Sequence, residues 1–104
     1  MEINIADKNI GDSHPVFIIA ELSANHLQKF ELAVDTIKAA KECGADAVKF
    51  QTYTPDTMTI NSDKDYFKIK GTIWEEENLY SLYGRAYTPW EWQPKLEMMP
   101  IRRV

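Results

Sequence analysis

The 104-residue sequence lacks several features that would point directly to a cofactor or a metal. Cys43 is the only cysteine, which excludes an intrachain disulfide and a metal cage built from several cysteines. The four glycines are too dispersed for a P-loop or a dinucleotide-binding fingerprint. No second histidine or cysteine lies at metal-ligand spacing from His26. We therefore expect neither a nucleotide cofactor nor a metal site formed by this chain alone.

Long apolar runs and clusters of positive charge are also missing. No segment approaches the roughly 20 apolar residues of a membrane-spanning helix, and the first residues, "MEINIADKNIGD", lack the apolar run of a secretion signal. The 12 basic residues are scattered among 16 acidic ones, for a net charge of -4. Such a distribution does not favour nucleic acid binding. We expect a cytoplasmic protein with no membrane or nucleic-acid partner.

The pattern of apolar residues predicts an α/β fold. Residues 3–10 alternate apolar and polar, which predicts a short hairpin. Residues 16–22 form an apolar run typical of a strand in a parallel sheet, and residues 28–43 carry an apolar stripe at helical spacing. Gly44 is a natural helix stop, and a second strand follows within residues 44–53. The order predicts a βαβ unit with parallel strands and a right-handed crossover.

The second half of the chain is less regular. Residues 54–73 show no sustained period and are expected to form a long loop. A helix is predicted over residues 75–85, because glutamates favour a helix N-terminus. A further helix is predicted with Thr88 as N-cap and Pro89 in its first turn. Residues 98–104, "MMPIRRV", continue no pattern.

Polar side chains occupy the carboxyl ends of both predicted strands. Alternation places Lys49 and Gln51 on one face of the second strand, and Glu21 lies near the end of the first. Ligands of parallel α/β folds bind at this edge. Lys49 could bind a phosphate or carboxylate, Gln51 could hydrogen-bond a sugar, and Glu21 could orient a donor or handle a proton. The competing interpretation is a structural Glu21–Lys49 ion pair beside a solvated glutamine.

Histidine and aromatic side chains give a weaker signal. His26 is interpreted as a hydrogen-bonded structural histidine rather than a ligand. Eight aromatic residues could line a lid over a sugar, although core packing is the simpler interpretation. They are Tyr66, Phe67, Trp74, Tyr80, Tyr83, Tyr87, Trp90 and Trp92.

Three stretches of the sequence carry a family resemblance. They are "FIIAELSANH", "A.DTIKAAKECGADAVKFQTYTPDTMT" and "IW....LY.LY..AYTPWEW", with dots for the residues that do not contribute. Together they span roughly residues 15–96 and resemble the start of the sialic acid synthase family, most closely its pseudaminic acid synthase branch. The resemblance implies a (β/α)₈ TIM barrel, a small antifreeze-like (SAF) domain after it, and a homodimer.

The same resemblance implies an activity and roles for three residues. Such enzymes condense phosphoenolpyruvate with an N-acetylated amino sugar, using a divalent metal (Mn²⁺ or Mg²⁺), to give a nonulosonic acid and phosphate. Glu21 falls on the family's glutamate in the active-site mouth and is the catalytic candidate. Lys49 falls on a lysine that contacts phosphoenolpyruvate, and Gln51 on a glutamine that faces the sugar. The family's metal-binding histidines belong to later parts of the barrel, so no metal ligand is expected in this chain.

The sequence also departs from the family. A complete barrel takes about 250 residues, so this chain is expected to supply only the first two strands. Residues 1–97 are interpreted as the N-terminal part of the barrel domain and 98–104 as an aberrant tail, with no antifreeze-like domain. The chain is thus expected to be a truncated, inactive fragment. Alternatives are another phosphoenolpyruvate-dependent sugar-acid synthase, or a non-catalytic interaction fragment.

Overall fold

A computed structural model of the chain describes residues 1–5, 7–75 and 77–103. The elements belong to two small sheets and four helices, joined by short 3₁₀ helices at Asp65–Phe67 and Trp90–Trp92. In chain order they are β1 (Ile3–Ile5), β2 (Lys8–Ile10), β3 (Ile19–Ser23), α1 (Phe30–Glu42), β4 (Ala47–Phe50), α2 (Pro55–Met58), α3 (Leu79–Ala86), α4 (Gln93–Glu97) and β5 (Arg102–Arg103).

The predicted N-terminal hairpin is confirmed. Strands β1 and β2 pair in antiparallel fashion, with Ile3 opposite Ile10. The hairpin is tied to the start of the main sheet, because Lys8 forms an ion pair with Asp46. Asp46 also accepts a 2.8 Å hydrogen bond from the Ile18 N–H. This backbone bond, followed by Lys8, lowers the pKa of the Asp46 carboxyl below its usual range.

The predicted βαβ unit is also confirmed. Strands β3 and β4 run parallel, with Ile19 opposite Ala47, and α1 lies between them in the sequence. The helix begins two residues later and ends one residue earlier than predicted. Gly44 follows with a φ of 89°, the left-handed conformation expected after a helix. Strand β3 starts later than predicted, because its ladder partner begins only at Ala47.

A third strand corrects the prediction that the chain supplies only two. Arg102 and Arg103 in β5 pair in parallel with Ala47 and Val48, so the sheet order is β3-β4-β5. Residues 98–104 continue no pattern in the sequence, and yet two of them pair with β4. A two-residue strand is too short to show alternation in the sequence. The division of the chain at residue 97 into a barrel part and an aberrant tail stays a prediction.

The helices of the second half differ from their predicted starts. Helix α3 begins after Asn78, whose side chain accepts a 2.8 Å hydrogen bond from the Ser81 N–H. This N-cap places the start of the helix at Leu79, later than residue 75, where the glutamates predicted it. Glu76, within the predicted helix, lies outside the described residues. Thr88 is not an N-cap, since the 3₁₀ helix of Trp90–Trp92 follows Pro89. The expected loop of residues 54–73 contains α2 and one 3₁₀ helix.

The core lies on one side of the three-stranded sheet. Its buried members are Ala33 and Ile37 of α1, Val48 of β4 and Leu96 of α4. On the opposite face of the sheet, the side chain of Ile19 is 45% exposed. The described residues therefore show the α/β class, with one face of the sheet covered by helices, and they do not form a closed barrel.

Candidate functional site

Glu21 and Lys49 lie opposite each other at the carboxyl ends of β3 and β4. The Glu21 Oε2 and Lys49 Nζ atoms are 2.5 Å apart, and both side chains are nearly half exposed. The backbone N–H and the hydroxyl of Ser23 donate to Glu21 Oε1 at 2.9 and 3.1 Å. Lys49, and then these Ser23 bonds, lower the pKa of the Glu21 carboxyl. Glu21 is therefore ionised at neutral pH and better suited to orienting Lys49 than to donating a proton.

Lys49 presents an ammonium group on the open face of the sheet. An ammonium has three donors, and Glu21 is the ion-pair partner of Lys49 among the residues that the structure describes. The group keeps capacity for a second acceptor, and its exposure leaves it accessible to an anion. A phosphate or carboxylate could therefore bind beside the pair.

Gln51 lies beyond the end of β4 and faces a different space. Its backbone N–H donates to the Ser23 carbonyl at 3.0 Å, and its carbonyl accepts from the Thr88 N–H at 2.9 Å. Gln51 is among the residues that line a cavity of about 470 Å³, and Glu21 and Lys49 are not. The structure thus brings the predicted trio to one edge of the sheet, but it joins only Glu21 and Lys49 directly.

The cavity beside Gln51 has largely aromatic and aliphatic walls. Its lining residues come from the loop after β3, from Gln51 and Tyr53 after β4, from Trp74 and from α3. The Tyr53 and Tyr83 rings meet edge to face with centroids 5.5 Å apart. Burial, followed by the neighbouring Tyr83, raises the pKa of the Tyr53 phenol. The Tyr53 phenol is therefore uncharged at neutral pH.

His26 ties the loop after β3 to the segment before α4. The His26 side chain is buried, and its Nε2 lies 2.8 Å from the Thr88 hydroxyl oxygen. The Gln28 N–H donates to Nδ1 at 3.0 Å, so Nδ1 carries no proton and Nε2–H donates to Thr88. Burial lowers the pKa of His26, which favours this neutral ring. His26 is therefore hydrogen-bonded through both ring nitrogens, as a structural histidine would be, and the interpretation of its role stays a prediction.

Residues at the end of β3 and in the loop that follows it have positive φ angles. Ser23, Leu27 and Gln28 have φ values of 50°, 50° and 52°, which side-chain-bearing residues rarely adopt. Such conformations persist where the surroundings hold them in place. The buried His26–Thr88 contact supplies that restraint, and two of these residues, Ser23 and Leu27, line the cavity.

The aromatic residues divide between the two interpretations given to them. Trp74 and Tyr83 line the cavity, as a lid or wall would require. Trp92 instead packs edge to face on Phe30 in the core, with ring centroids 5.4 Å apart. Sequence reasoning missed Tyr53 as a wall residue. The signal that could have revealed it is its position three residues after the end of β4, at the edge where ligands of parallel sheets bind.

In residues 1–5, 7–75 and 77–103, no group of three or more histidine, cysteine, aspartate or glutamate side chains could hold a metal ion. Within the same ranges, none of the helices combines the length and the apolar character needed to cross a membrane.

A family model and several known proteins match the sequence. The sequence profile of the NeuB family matches residues 36–102. The pseudaminic acid synthase of Campylobacter jejuni is 56% identical over 88 residues, which make up 85% of this chain and 26% of that protein. The pseudaminic acid synthase of Helicobacter pylori is 57% identical over 82 residues, or 79% of this chain and 24% of that protein.

A solved structure shows the same arrangement of elements. The spore coat polysaccharide biosynthesis protein SpsE of Bacillus subtilis superposes with a TM-score of 0.61 and 38% identity. The match covers 92% of this chain and 24% of the SpsE chain. This chain spans about a quarter of the length of the curated relatives that it matches.

Proposed function

Because the chain belongs to the NeuB family, we propose that it forms the first part of the barrel of a phosphoenolpyruvate-dependent nonulosonic acid synthase. The observation that carries the proposal is the half-exposed Lys49 ammonium, which Glu21 orients at the carboxyl edge of a parallel sheet. The similarity to two pseudaminic acid synthases supports pseudaminic acid as the product. A cytoplasmic homodimer is part of the same proposal.

The proposed reaction joins phosphoenolpyruvate to the open aldehyde form of an N-acetylated amino sugar. C3 of the enol attacks the aldehyde carbon and forms a C–C bond, water adds at C2, and the C–O bond to phosphate breaks. The products are a nonulosonic acid and inorganic phosphate. In this reaction Lys49 binds the phosphate or carboxylate of phosphoenolpyruvate, Glu21 holds the Lys49 ammonium in place, and Gln51 faces the sugar.

The resemblance implies a divalent metal, Mn²⁺ or Mg²⁺, but residues 1–5, 7–75 and 77–103 form no group of side chains that could bind it. The described residues contain no cluster of metal-binding side chains, and His26 is engaged through both ring nitrogens. The contribution assigned to this chain is therefore limited to binding and orienting the two substrates.

Replacement of Lys49 tests the proposed phosphoenolpyruvate contact. Lys49→Ala should weaken phosphoenolpyruvate binding by about 1.5 to 3 kcal/mol, because one charge-assisted contact is lost. Isothermal titration of the unmodified chain and the variant measures this difference. Lys38→Ala is the matched control, since Lys38 is a similarly exposed lysine that pairs with Asp35 on α1. Equal affinities for the unmodified chain and Lys49→Ala would refute the assignment.

A further inference from the structure

The pairing between β3 and β4 is irregular at the carboxyl end of β3. Glu21 pairs with Lys49. The next pair is Ser23 with Phe50, so two steps along β3 match one step along β4. Ser23 also has a φ of 50°, which lies outside the range of a regular strand. Irregularities of this kind change the direction in which a strand presents its groups, and they are frequent beside active sites.

The irregular backbone brings two donors of Ser23 onto the Glu21 carboxylate. In a regular strand, a backbone N–H points sideways toward a neighbouring strand and not at a side chain of its own strand. Here the Ser23 N–H and hydroxyl both donate to Glu21 Oε1, at 2.9 and 3.1 Å. The other oxygen, Oε2, lies 2.5 Å from Lys49 Nζ. Both carboxylate oxygens are therefore engaged, which restricts rotation of the group.

The ion pair depends on such support because it is exposed to solvent. The side chains of Glu21 and Lys49 are both nearly half exposed. An exposed pair gains little by itself, since holding two long side chains in one geometry costs side-chain entropy. Ser23 is itself held in place, because its carbonyl accepts from the Gln51 N–H at 3.0 Å. A fixed serine that orders Glu21 leaves only the Lys49 side chain to be ordered by the pair.

We infer that Ser23 is a positioning residue for Lys49: it fixes Glu21 through one carboxylate oxygen, and Glu21 fixes the Lys49 ammonium through the other. The inference rests on the proposed function and deepens it, because it names the residue that sets the geometry of the anion contact. In this series of contacts, the Ser23 hydroxyl acts on phosphoenolpyruvate only through Glu21. The irregular end of β3 thereby becomes part of the anion site.

Removal of the Ser23 hydroxyl tests the inference by two measurements. Ser23→Ala should weaken phosphoenolpyruvate binding about fivefold in isothermal titration, which is the effect of one ordinary hydrogen bond. In a ¹³C NMR titration of the same variant, the pKa of the Glu21 carboxyl should rise, because one donor to its charged form is gone. Ser13→Ala is the matched control and should change neither result, since the Ser13 hydroxyl also donates to a glutamate, Glu2, at 3.2 Å.

A glycine variant separates the loss of the hydroxyl from backbone strain. Ser23→Gly also lacks the hydroxyl, but it keeps the N–H donor and adopts a positive φ without steric cost. It should weaken phosphoenolpyruvate binding to the same extent as Ser23→Ala. If the glycine variant instead binds as tightly as the unmodified chain, strain caused the loss in Ser23→Ala and the inference is overturned.

A double substitution shows whether Ser23 acts through Glu21. In the Glu21→Gln background, Ser23→Ala should change phosphoenolpyruvate affinity by less than about twofold, because the carboxylate through which the serine acts is absent. The same fivefold loss in both backgrounds would overturn the inference, since Ser23 would then act by another route. A Lys49-dependent affinity that Ser23→Ala does not alter would overturn the inference alone and leave the proposed function standing. If the affinity does not depend on Lys49, the proposed function itself is wrong.

Discussion

The buried contact between His26 and Thr88 joins two segments that are distant in the sequence. The Thr88 hydroxyl accepts from His26 Nε2 and lies 3.4 Å from the Ser23 carbonyl, to which it donates. Thr88→Val keeps the shape of the side chain but leaves a buried donor without an acceptor. We expect a loss of about 1 to 3 kcal/mol in the free energy of unfolding, measured by urea denaturation.

A threonine on α1 provides the control for this variant. The Thr36 hydroxyl donates only to the Leu32 carbonyl, one turn back in the same helix. Thr36→Val should therefore change the free energy of unfolding by no more than about 0.5 kcal/mol. Equal changes in the free energy of unfolding for the two variants would show that the His26–Thr88 hydrogen bond contributes no more to stability than the Thr36–Leu32 bond.

The pKa of His26 predicts how stability depends on pH. Burial lowers this pKa in the folded chain, while the unfolded chain titrates near the usual value of about 6.5. As pH falls below about 6.5, the unfolded state takes up a proton that the folded state does not, so the free energy of unfolding decreases. Urea denaturation between pH 8 and 5 should show the decline, and His26→Gln should flatten it.

The individual site residues were predictable to different degrees. Glu21 and Lys49 follow from alternation along two strands, because each side chain's face is fixed by its own local sequence. Thr88 could not be placed in this way, since its partner lies 62 residues earlier. Local patterns identify which face a residue occupies, but they do not identify a tertiary contact across the chain.

At the scale of elements, the turn from α1 to β4 depends on one glycine. Gly44 has a φ of 89°, and a Cβ added there would meet no atom within 4 Å. Gly44→Ala should therefore cost about 1 to 2 kcal/mol through backbone strain alone. Thermal and urea unfolding of the variant measure this cost.

A second glycine provides a control, because its replacement by alanine should raise the free energy of unfolding instead of lowering it. Gly84 lies within α3, and a Cβ there would touch Pro55 Cγ at an ordinary 3.5 Å. Gly84→Ala should stabilise the chain by about 0.5 to 1 kcal/mol, because alanine loses less backbone entropy in a helix. If both variants were destabilised, the space between Gly84 and Pro55 would be too small for a methyl group.

The elements were predictable where their own residues carry a long enough pattern. Helix α1 has 13 residues with a regular apolar stripe, and its bounds were predicted within two residues. Strand β5 has two residues, and its existence depends on pairing with β4 rather than on its own sequence. The start of α3 was misplaced because the cap at Asn78 outweighs the glutamates before it.

At the scale of the whole molecule, the sheet is incompletely covered. Strands β3 and β5 are its outer strands in the described chain, and the side chains of Val16, Ile18 and Ile19 are 83%, 53% and 45% exposed. The radius of gyration is 16.9 Å, whereas a compact domain of this size has about 13 Å. The barrel was expected only from the family resemblance. The residues themselves predict an α/β unit and no closed barrel, because a barrel closes only when each strand edge pairs with another strand.

The open face and edges lead to a prediction for residues 1–104 expressed alone. Unpaired strand edges beside exposed apolar side chains favour pairing between chains, so we expect concentration-dependent self-association in sedimentation velocity experiments. Ile19→Lys should reduce it, since a charge on the open face of β3 opposes stacking, while Ile60→Lys should have little effect because Ile60 is exposed outside the sheets. We also expect no phosphate release from phosphoenolpyruvate with manganese and an N-acetylated sugar, since the described residues hold no metal site. A stable monomer at all concentrations, or sugar-dependent phosphate release, would show that the chain needs no further strands to complete its sheet and its chemistry.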